Sequence, residues 1–65
     1  MAYSREELAE AKRQIDSILH KLGETVRTLE AKGEEKRYRS QITLAKRRIA
    51  ALEIARELIQ RELNQ

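Results

Sequence analysis

The chain contains no cysteine, proline, tryptophan or phenylalanine, and its 65 residues include only two glycines, two tyrosines and one histidine. Without cysteine there are no disulfides and no thiolate metal sites, so a metal could rely only on carboxylates and one imidazole. Without proline, glycine is the strongest stop signal left to a helix here. Two tyrosines leave no series of rings on which nucleobases could stack. The longest unbroken apolar run, Ile49 to Leu52, is far short of the ~20 residues that span a bilayer, so no membrane segment is expected. The opening residues MAYSREELAE have neither a basic start nor an apolar core. They read as no signal peptide, which makes the cytoplasm the expected location.

What is present is the raw material of helices. Ala, Glu, Lys, Leu and Arg account for about 60% of the residues, the composition of coiled coils and long helices. Apolar residues make up 40% and charged ones 38%, too apolar and too periodic for a disordered chain. One domain of this length is close to the size at which a lone core becomes marginal. With disulfides excluded, a partner subunit is the remaining way to add buried surface.

The first helix is marked at its start. Ser4 and Glu7 have the S-x-x-E spacing of a capping box, and Tyr3 and Leu8 are placed as a hydrophobic staple. Glu6 and Glu7 put negative charge at the positive end of the helix dipole. Leu8, Ile15, Leu22 and Leu29 then recur every seven residues, with Ala11, Ile18 and Thr25 as companions and Leu19 and Val26 widening the stripe. That is one apolar face and a solvated back. Gly23 weakens the helix by roughly 1 kcal/mol relative to alanine without breaking the period. Lys32-Gly33 is the stop, a cation followed by a glycine able to take the left-handed position. Glu34 and Glu35 favour a new helix start. The expected order is helix 1 at about 4–32, a turn at about 33–35 and helix 2 at about 35–63, as a single domain over 1–65. So short a connection requires antiparallel helices.

Helix 2 differs from helix 1 in carrying two apolar seams. One comprises Tyr38, Ile42, Ala45, Ile49, Leu52, Ile59 and Leu63; the other comprises Leu44, Ala51 and Leu58 at a strict seven-residue step, with Ala55 between the seams. A helix with one neighbour needs one stripe, and two seams imply two neighbours. The chain supplies one from its own first half. The expected fold is therefore all-α: an antiparallel hairpin that dimerises into a four-helix, coiled-coil-like bundle, with a tetramer as the larger alternative. Leu44, Ala51, Ala55 and Leu58 form the expected oligomer interface, helix 2 crossing a second helix 2 in antiparallel fashion near Ala51. The competing reading is that these residues only broaden the stripe facing helix 1.

Pairing the helices places Arg56 opposite Ala11, at a seam position where a leucine belongs. Its stem could pack over Ala11 while the guanidinium reaches Glu7 or Glu10. Alternatively it could set register as a polar seam residue, or bind a ligand. The basic surplus sits in the second half: residues 1–33 balance six basic against six acidic residues, while 34–65 hold eight against five. Lys36, Arg39, Lys46 and Arg47 share one face, and Arg37 and Arg48 flank the second seam. Such residues could contact phosphate backbones. Glu35, Glu53 and Glu57 dilute that patch, and Glu35–Arg39 and Glu57–Arg61 have ordinary i, i+4 pairing spacing. His20, one turn after Asp16, reads as a helix-pairing residue, with no third metal ligand placed beside them. No nucleophile with a base in reach, phosphate loop or zinc motif is present. The sequence thus reads as a non-enzymatic interaction or regulatory module without cofactor or metal, partnered by itself and open to a further protein partner. The alternative reading is a small nucleic-acid-binding regulator.

Overall fold

The computed structural model describes residues 3–33 and 35–65, with the side chain of Glu35 left out. The expected dipole contributions of Glu34 and Glu35 and the Glu35–Arg39 pair therefore lie outside the described residues. Two helices, α1 (Arg5–Ala31) and α2 (Glu35–Leu63), pack against each other as a hairpin.

Each end of α1 follows from named residues. Ser4 keeps an extended backbone and its hydroxyl accepts from the Glu7 N–H at 3.1 Å, while the Glu7 carboxylate accepts from the Ser4 N–H at 3.0 Å. Two of the N–H groups that a helix start leaves without partners are thereby satisfied. Gly23 stays inside a continuous helix, in accord with the unbroken heptads around it. Gly33 takes φ +71°, a left-handed conformation that a Cβ would strain, and its N–H donates to the Glu30 carbonyl at 3.3 Å. At the other end of the molecule, Arg5 donates to the Leu63 carbonyl at 2.7 Å and ties the start of α1 to the finish of α2.

The interior is thin. Leu8, Val26, Leu29 and Ala45 are buried, and among the described residues no side chain is fully enclosed. The shape explains this: the hairpin is a rod of 45 × 15 × 15 Å with a radius of gyration of 14.8 Å. A compact domain of this length would have a radius of about 11 Å. Two rods side by side shield one seam each and no more.

Among the described residues, two interhelical ion pairs flank that seam. Lys46 reaches Glu30 at 3.4 Å and Arg56 reaches Asp16 at 3.3 Å, with Lys12 also on Asp16 at 3.6 Å. Arg56 thus turns to Asp16 and away from Glu7 and Glu10. The reason is directional. Helical side chains lean toward the N-terminus of their own helix. In an antiparallel hairpin, that direction on α2 runs toward higher-numbered residues of α1, where Asp16 lies beyond Ala11.

Candidate functional site

The surface that calls for explanation lies on the outer side of α2. Leu44, Ile54 and Leu58 are 46%, 61% and 57% exposed, Ala51 is exposed, and Ala55 is half-buried. At 100° per residue this group centres about 145° around the helix from the side chains that face α1. It is therefore an outer seam, separate from the one that builds the hairpin. Ile54 belongs to it and escapes a search for a strict seven-residue step. Its position three residues after Ala51 and four before Leu58 is the helical signal that finds it.

The seam is continuous with one flank of α1. Lys46–Glu30 marks one side of the groove between the helices. On the helical wheel Ile18, 44% exposed, falls on the other side, the side shared with Leu44, Ala51 and Ala55. One flank of the rod is thus held by ion pairs and the other presents aliphatic side chains to water. Scattered exposed leucines are ordinary, but an aligned set is not.

The molecule's surface area gives the scale. The chain exposes 5319 Å², whereas a folded monomer of 7.6 kDa exposes about 4,300 Å². The excess of about 1,000 Å² is comparable with the ~800 Å² that each partner contributes to a standard protein interface.

Charges border this stripe. Arg47 and Arg48 stand beside its N-terminal half, Glu57 and Glu62 beside its C-terminal half. Glu57 accepts from Arg61 at 2.9 Å along the helix. Among the described residues, no side-chain hydrogen bond or ion pair engages Arg47, Arg48 or Glu62.

The six candidate nucleic-acid contacts do not form one surface. Lys36, Arg39 and Lys46 line a cleft of about 390 Å³ together with Ile42, Thr43 and Glu30, and Glu30 holds Lys46. Arg37 lies against the Tyr38 ring, 5.5 Å from its centre, with Lys32 at 5.2 Å. Arg37 and Arg48 point away from that cleft on the helical wheel, and Arg47 lies between the two groups. A second groove, of about 700 Å³, opens at the far end of the rod between Tyr3, Leu8, Ala11 and Ile59, rimmed by Glu6, Glu7 and Glu10. Glu10 is held below the ordinary carboxylate range by the Gln14 amide, which donates to it at 2.8 Å, and by the neighbouring Arg13.

His20 is exposed on the outer face of α1, and among the described residues no group of three or more potential metal ligands occurs. No helix among those described is long and apolar enough to cross a membrane. Compared with known proteins, the chain matches no family model, no curated protein and no solved structure.

Proposed function

We propose that the protein is a non-enzymatic, self-associating helical-hairpin module, in which two hairpins join through the outer seam of α2 into a four-helix bundle. The observation that carries this reading is the aligned exposure of Leu44, Ala51, Ile54 and Leu58 on a rod with an excess of about 1,000 Å² of surface. Coiled-coil-like packing suits it, since small Ala51 at the middle permits close approach of two backbones. The assembled bundle, with Lys36, Arg39 and Lys46 outside the joining seam, would act as a regulatory piece by binding further macromolecules.

The test is Ala51→Arg with sedimentation equilibrium at micromolar concentration. The parent chain is expected at twice its 7.6 kDa mass and the variant at the monomer mass with its helix content retained. A variant that keeps the parent's mass overturns the interface.

One observation supports a second reading, a nucleic-acid regulator: Lys36, Arg39 and Lys46 converge on one cleft. Glu30 inside that cleft opposes it. The readings separate on immobilised nucleic acid. Retention at about 50 mM salt with release by about 200 mM salt supports phosphate binding, and absence of retention excludes it.

A further inference from the structure

The rod is electrically polarised along its length. The half nearest the turn, residues 17–49, holds nine basic and four acidic side chains, for a net +5. The open half, residues 1–16 and 50–65, holds five basic and seven acidic ones, for a net −2. A second rod laid alongside in the same direction would place +5 against +5. Laid head to tail, it places +5 against −2. The same polarity recurs beside the outer seam, where Arg47 and Arg48 precede Ala51 for +2, and Glu57 and Glu62 with Arg61 between them follow it for −1.

We infer that the occupant of the outer seam is a second copy of this chain, with α2 antiparallel to α2, and that these flanking charges select that orientation. The inference rests on the self-association proposed above and adds the register. The two-fold axis passes between Ala51 and Ile54, so that each Ala51 receives Ile54 of the partner subunit, a small residue against a large one. On the same register Arg47 meets Leu58 and Glu57 of the partner subunit, and Leu44 lies against the stem of the partner's Arg61. Arg48 reaches toward Glu62 of the partner subunit, about 7.5 Å along the axis from the position directly opposite it, because both side chains lean toward the N-terminus of their own helix and so toward each other. These contacts occur twice by symmetry. Arg48 and Glu62 have no charged residue three or four positions away on their own helix, so a partner subunit is their available counter-charge. A parallel pairing would bring Arg47, Arg48 and Arg61 each against its own copy, and like charges in that position oppose association.

Because the chain has no cysteine, single cysteines report orientation cleanly. Leu44→Cys and Arg61→Cys chains are mixed, oxidised and separated without reductant, alongside a mass measurement on the unsubstituted protein. The antiparallel register expects disulfides between the two variants only, because two copies of residue 44 would lie roughly 26 Å apart, seventeen residues along the helix. Like-with-like disulfides overturn the orientation. So does a dimer that forms no disulfide at all. A monomeric parent chain overturns self-association itself and this inference with it.

A second variant serves should the cysteines weaken assembly. Arg48→Glu sets a carboxylate against the partner's Glu62 and is expected to weaken dimerisation roughly tenfold. Mixing it with Glu62→Arg is expected to restore affinity. In a parallel pairing Arg48→Glu exchanges one like pair for another and leaves affinity unchanged, which also refutes the antiparallel arrangement.

Discussion

Replacing Leu58 by alanine separates a free outer seam from a covered one. The change removes three side-chain carbons, each worth about 0.8 kcal/mol when transferred fully out of water. In the isolated hairpin Leu58 is already 57% exposed, and alanine is the better helix former. Only the part already covered within the hairpin, about 43%, is lost there, so hairpin stability should fall by no more than about 1 kcal/mol. If a second copy covers the seam, the exposed share of that burial, about 1.4 kcal/mol, is lost in each subunit. The dimer then loses about 2.8 kcal/mol, roughly a hundredfold in Kd. Sedimentation equilibrium over a concentration series measures the Kd, and circular dichroism confirms that the helices persist. The melting temperature of the parent should also rise with protein concentration, because association stabilises the folded form by mass action. An unchanged Kd in the variant, or a parent whose melting temperature ignores concentration, would refute the reasoning.

Three further outcomes test the hairpin itself. The two glycines should respond in opposite directions to alanine: Gly23→Ala should stabilise by roughly 1 kcal/mol, because a Cβ there meets only the Arg27 side chain at 4.0 Å. Gly33→Ala should destabilise by about 1 kcal/mol or more, because its φ of +71° strains an L side chain. Denaturant unfolding of both variants checks the pair. Arg56→Leu exchanges an exposed ion pair worth about 0–1 kcal/mol for apolar contact with half-buried Ala11. Asp16 keeps Lys12, so Tm should rise by a few degrees, and a fall would show that Arg56 is needed in the seam. Glu10 should titrate below its ordinary 4.5, mainly through Gln14 and then Arg13. A lowered folded value means that its contribution to stability is present above pH 4.5 and lost as the pH falls through the lower folded value. Carboxylate NMR on the parent and Gln14→Leu chains measures the shift and its cause.

The local structure was legible because short-range chemistry dictates it. Ser4 and Glu7 specify the start of α1 through groups three residues apart, and Gly33 marks the reversal through a conformation that favours glycine. Leu8, Ile15, Leu22 and Leu29 state the buried face of α1 by spacing alone. Two helices with one short connection then admit one arrangement, an antiparallel hairpin. Part of the outer seam was legible in the same way, since Leu44, Ala51 and Leu58 repeat at seven. Ile54 was not, because a strict heptad step skips the intervening position that a helix of 3.6 residues per turn places on the same face.

Other features required the helices to be set side by side. The partner of Arg56 depends on which way a side chain leans along an antiparallel neighbour, and periodicity carries no such direction. The division of the rod into an ion-paired flank and an aliphatic one depends on how the two wheels are turned toward each other. That is why Ile18, a companion position of the α1 stripe, ends up exposed on the same flank as Leu44. The amino-acid order by itself determined that there are two helices, where they begin and turn, and how charge runs along them, because caps, glycine and spacing act within a few residues. Only the packed hairpin decided which apolar seam was consumed and which was left facing water. A rod 15 Å thick offers each helix a single neighbour, and geometry chooses the face that meets it.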